Sequence, residues 1–212
     1  MRLLQREQSW HYSIRTELGI DFCLWMLRID GLRVAPFDTH PDGTHLLQAA
    51  GLTPEAWRSW FLRVLAKQRD LQAIEDPDVW VAEAAASYSP VSLWPGSERL
   101  KERLQELWLL YEMLTTGLIE PSTPDFVEHM LPPKERRRLW KDLTPFQQLL
   151  PPLDIYLVDY PHAPLFVYPP TMLVIGNRER KLQGEELRQL ILQGARELAT
   201  AGENRADQFP SS

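Results

Sequence analysis

Apolar positions recur with helical spacing along most of the chain. Between about Arg15 and Asp30, Leu18, Phe22, Trp25 and Ile29 fall at i, i+4, i+7 and i+11 and so share one helical face. Cys23, Leu24, Met26 and Leu27 widen that face, which predicts a well-buried helix stopped by Gly31. From Thr53 to about Arg69 the signals agree: Thr53 as N-cap, Pro54 at the first helical position, Glu55 in the first turn. Trp57, Trp60, Phe61, Val64 and Leu65 form the stripe of this helix, with Arg58, Arg63 and Lys67 off it. A third helix is expected over Pro77–Ser87, capped by Asp76. A fourth, Glu98–Thr115, carries Leu100, Leu104, Leu107, Tyr111 and Leu114 in a 4-3-4-3 spacing, with Trp108, Leu109 and Leu110 around it. That bulk predicts the central helix of a packed core. Beyond Pro121 and Pro124, short helices are expected over Asp125–Met130 and Lys134–Lys141, with a further turn from Thr144 to Leu150.

The spacing then shortens. Leu153–Asp159, Leu165–Tyr168 and Thr171–Ile175 are rich in Ile, Val and Tyr and bounded by prolines, which predicts two or three strands. Their connections are too short for crossovers, so antiparallel pairing is expected. A last helix, Gln183–Ala201, places Leu187, Leu190, Ile191 and Leu198 on one face. Gly194 lies on that face, where it would permit close approach to a sheet or another helix. Gly202 should end this helix. The fold class is therefore α+β, mostly α: a helical body, then a small antiparallel β element and a C-terminal helix. One globular domain over 1–201 with a mobile tail over 202–212 fits the length of 212 residues.

Composition narrows the function classes. Apolar residues at 44% and charged residues at 25% are globular values and argue against disorder. A net charge of −6 lacks the field of a non-specific nucleic-acid binder. The single cysteine, Cys23, excludes an internal disulfide and fits a reducing compartment. The first residues, MRLLQREQSWHYS, lack a signal-peptide core, and the apolar stretch Leu149–Gly176 holds Asp154, Asp159, His162 and prolines that a bilayer would not accept. A cytoplasmic protein without a membrane span is expected. Eight Trp residues should dominate the core, and any that is exposed would mark a contact surface.

Three clusters carry candidate chemistry. Asp38, His40, Asp42 and His45 put two imidazoles and two carboxylates in one turn-rich loop, a set that can in principle ligate zinc, manganese or iron. Ordinary turn chemistry accounts for the same residues more simply. Asp159 and His162 stand at a strand end like a base and its orienter, but no nucleophile motif accompanies them. The run Lys134-Glu-Arg-Arg-Arg-Leu-Trp-Lys141 is the one concentrated basic patch, where guanidinium groups beside an indole suit an acidic partner face, a phosphate or RNA. Glycine-rich phosphate loops are missing, so no nucleotide cofactor is expected.

The stretch from Ser9 to Phe22, with the later Leu32-Arg-Val-Ala-Pro-Phe-Asp-Thr-His-Pro-Asp-Gly43, is similar to uncharacterised soluble proteins of cyanobacteria. The resemblance covers about the first third of the chain. It implies a bacterial cytosolic setting near photosynthetic or regulatory machinery, and it transfers no activity. The leading expectation is a non-enzymatic protein-interaction or assembly and regulatory protein that presents Arg136, Arg137, Arg138 and Trp140 to a protein partner. A metal-dependent hydrolase or metal-binding protein using the Asp38–His45 loop is the second. A nucleic-acid accessory protein using Arg136 to Trp140 is the third.

Overall fold

Two strands of this protein carry almost no polar alternation: Leu153–Val158 reads LDIYLV and Met172–Gly176 reads MLVIG, and nearly every residue in them is buried. Strands of that kind belong inside a sheet covered on both faces. The computed structural model, which describes residues 10–37, 49–72, 74, 76–86, 89–115, 130–158, 160, 165–177 and 182–206, has that arrangement. In chain order the elements are β1 (Tyr12–Arg15), α1 (Leu18–Ile29), α2 (Pro54–Gln72), α3 (Pro77–Ala86), a 3-10 turn (Pro90–Leu93), α4 (Glu98–Thr115) and α5 (Pro133–Leu143). A second 3-10 turn (Thr144–Phe146), β2 (Leu153–Val158), β3 (Leu165–Tyr168), β4 (Met172–Gly176) and α6 (Gly184–Ala206) complete them.

The four strands form one sheet in the order β1-β2-β4-β3. Tyr156, Val158, Met172 and Val174 point into a core shared with α1, α2 and α4. Their neighbours Ile155, Leu157, Leu173 and Ile175, with Ile14 of β1, point the other way into a core built with α5 and α6. The α+β class, mostly helical, is as the sequence predicts. The pairing is not. β3 and β4 are antiparallel, but β2 and β4 run parallel, with Ile155 opposite Leu173. The linkers are as short as expected; the reversal, however, is made by β3 at the sheet edge, and β4 then returns to the place beside β2. β1 was not foreseen either. It is four residues long, lies parallel to β2 with Ser13 opposite Asp154, and precedes a helix that starts at Leu18 rather than Arg15.

Local chemistry explains the helix ends. Glu17 accepts from the Ile20 amide at 2.8 Å and starts α1. At its other end Gly31 has φ +62°, Gly31 N–H donates to Arg28 and Leu32 N–H to Leu27, the paired bonds of a Schellman stop. Thr53 Oγ1 accepts from Ala56 N–H, and Asp76 Oδ1 from Asp78 N–H, as their positions predict. Buried indoles keep their donors occupied: Trp57 donates to the Cys23 carbonyl at 2.7 Å and Trp60 to that of Pro90 at 2.8 Å. Helix α6 runs through Gly202 to Ala206, so the expected stop at Gly202 does not hold. One interior glycine costs about 1 kcal/mol, too little to stop a helix anchored by Ile191, Ala195 and Leu198. Among the described residues no helix is long and apolar enough to cross a membrane.

The outward face of helix α5 as candidate functional site

Helix α5 begins with Pro133 at its first position and a run of good helix formers behind it. Its residues separate by side. Leu139 and Leu143 are fully buried in the core beneath the sheet. Successive residues turn by about 100°, so Lys134, Arg137, Arg138 and Lys141, at i, i+3, i+4 and i+7, share an outward arc of about the same width. All four are exposed. With Pro133 they line a shallow, open hollow of about 330 Å³.

The acidic flank of the helix is tied down. Arg188 of α6 is only 12% exposed and reaches three carboxylates at once: Asp142, Glu185 and, from Nε at 3.3 Å, Glu135. Glu135 also accepts from Arg138 at 2.9 Å, so it joins the clasp to the basic arc. Buried Leu139 and Leu143 set the rotation of α5 about its own axis, and the clasp agrees with it. Because Glu135 and Asp142 turn towards α6, the cations turn to solvent. Hydrogen bonds from Arg188 and Gln189 hold the Glu185 carboxyl down at about 2, well below the ordinary carboxylate range. Lys134, Arg137 and Lys141 have no carboxylate partner among the described residues.

The remaining flank is aromatic. Trp140 is 43% exposed and lies beside Trp10, ring centroids 5.7 Å apart, and Tyr12 at 6.2 Å. Trp10 in turn donates its indole N–H to the Leu150 carbonyl at 2.9 Å. Tyr12 feels the positive charge of Arg136, although burial outweighs it and raises the phenol's pKa. Of the residues singled out in the sequence, Arg137, Arg138 and Trp140 therefore face outward, while Arg136 is half-buried on the β1 side. Lys134 and Lys141 complete the arc. Their membership was available from helical spacing alone, because the predicted helix already ran from Lys134 to Lys141.

No known protein family, curated protein or solved structure matches this chain.

The other candidate clusters fare differently. Asp38, His40, Asp42 and His45 lie outside the described residues, as do Asp159 and His162. Among the described residues no group of three or more His, Cys, Asp or Glu is placed to hold a metal ion. Between them, Tyr160 is buried and donates to the Phe37 carbonyl at 2.8 Å, a bond that closes the core. Cys23 is fully buried, and burial first, then the Glu17 charge, pushes its thiol well above the ordinary range, the opposite of a nucleophile's tuning. A polar group sits on the inner side of the β1–β2 edge: Arg15 donates to Ser13 and Asp154, both at 2.7 Å, and Ser13 to Asp154 at 2.8 Å. Every member of that triad is satisfied by another, and its effect is to fasten β1 to β2.

Proposed function

We propose that this is a non-enzymatic interaction protein of the bacterial cytosol, and that the outward face of α5 is where it receives a protein partner. The observation that carries the proposal is the arc of Lys134, Arg137, Arg138 and Lys141 on a chain whose net charge is −6. Lys134, Arg137 and Lys141, which have no carboxylate partner among the described residues, repel one another, and a folded protein gains nothing from that arrangement alone. A partner's carboxylates would relieve it. Trp140 adds the half-exposed aromatic anchor typical of interface hot spots.

A photo-crosslinking residue placed at Arg137 in the source cells tests this. The expected result is one discrete protein adduct, absent when the same probe sits at exposed Gln193 of α6 and lost on Arg138→Glu with Lys141→Glu. A smear identical at both positions, or an adduct indifferent to the two reversals, would remove the docking role from α5.

A further inference from the structure

Resting on the docking role proposed above, we infer the chemistry of the partner segment: an acidic amphipathic helix lying along α5, with carboxylates one helical turn apart and an apolar residue on the Trp140 side. The spacing is the first argument. The four cations span eight residues, about 10 Å of helix axis. Carboxylates at i, i+3, i+4 and i+7 of a second helix repeat at the same pitch and meet them one to one.

The asymmetry of the flanks is the second argument. On one side of the arc stand Glu135 and Asp142, already engaged by Arg188. On the other stand Trp140, Trp10 and Tyr12. A partner therefore meets repulsion on one shoulder and an apolar shelf on the other, which sets its rotation as well as its position.

A single nucleic-acid strand fits the same surface poorly. The arc is short, so it would neutralise only a few phosphates, and affinity from phosphate contacts grows with their number. The Glu135, Asp142 and Glu185 carboxylates border it. Trp140 already has two rings against it, which leaves less of its face for a base.

Synthetic probes settle the matter. One is a 21-residue helical peptide with Glu at i, i+3, i+4 and i+7 and Leu on the adjoining side. A second has the same composition in scrambled order, and a third is an oligothymidylate of similar charge. Titrated against the intact protein with fluorescence anisotropy as readout, the patterned peptide should bind at least tenfold more tightly than the scrambled one. Exposed charge pairs each worth up to about fivefold make Arg137→Glu with Lys141→Glu cost the patterned peptide roughly tenfold or more. Trp140→Ala should weaken the patterned peptide alone and leave the scrambled one unchanged. Equal binding of both peptides overturns the helical pattern, and preference for the oligothymidylate overturns the partner class. Absence of peptide binding beside a specific crosslink at position 137 overturns the acidic helix while leaving the docking role standing. Absence of both removes the two together.

Discussion

Single residues show how tightly this molecule is fitted, and Gly194 shows it best. A methyl group there would stand 2.6 Å from Leu173 Cδ2 and 3.2 Å from its Cγ, where α6 crosses the sheet. Leu173 is fully buried in the cluster that holds Ile155, Ile175 and Ile191, so shifting it disturbs packed neighbours. Overpacking of this kind costs about 1–3 kcal/mol, against the roughly 1 kcal/mol that alanine gains over glycine in a helix. Gly194→Ala should therefore lower the urea midpoint, by an amount equivalent to about 1 kcal/mol. Combining it with Leu173→Val should give a protein no less stable than Leu173→Val alone, the coupling a double-mutant cycle measures. A raised midpoint in Gly194→Ala would mean that helix and sheet do not meet this closely. The glycine could be read from sequence because it sits on the apolar face of an obvious periodicity. Its counterpart Leu173 could not, since nothing local says which strand passes beneath.

At the scale of elements, the clasp around Arg188 makes a prediction about pH. The Glu185 carboxyl titrates at about 2 in the folded protein against an ordinary value of 4.5. A depressed folded value means its contribution is complete above about 4.5 and fades as the pH falls towards 2. Thermal melts of Glu185→Gln should accordingly lie below wild type at pH 7 and converge on it near pH 2. Because Glu185 is exposed, added salt should shrink the gap at pH 7 as well. A gap that persists unchanged at low pH would show that Glu185 acts through packing instead of charge. Helices α2, α3, α4 and α5 were all legible from caps and periodicity, because those signals lie within a few residues of one another. The clasp was not: Arg188 and Asp142 are 46 positions apart. β1 escaped for a related reason. Four residues are too few to show alternation, and what makes Tyr12–Arg15 a strand is Asp154 and its neighbours, far along the chain. Helix α4 also departs from expectation, since Leu109, Met113 and Leu114 on its C-terminal half are exposed, with Met113 at 76%. Heptad-like spacing identified the helix, but it could not say how much of the circumference other elements cover.

For the whole molecule, β2 and β4 decide how unfolding proceeds. Alternate residues of these two strands belong to the core above the sheet and to the core below it, so neither core can open without exposing the other's floor. Both should be lost in one transition. Trp57, Trp60, Trp94 and Trp108 lie in the core with α1, α2 and α4, so with Trp10 and Trp140 replaced by Phe the remaining emission reports chiefly that side. Amide protection in α6 reports the other. The two should decay at the same urea concentration, whereas separated midpoints would mean two independent folding units. The sequence conveyed the class of this architecture but not its layering, because a buried strand and a buried stretch of helix look alike over five or six apolar residues.

Ser13 and Asp154, joined across the β1–β2 edge, are 141 positions apart. At a translation rate of about 5–20 residues per second, some 7–28 s pass between the synthesis of one and of the other. For most of that interval the first helices have only one another to pack against and no sheet to rest on. A nascent chain of this protein should be a strong client for the chaperones that wait at the ribosome exit, and its dependence on them should end only once α6 has emerged to cover the second face of the sheet.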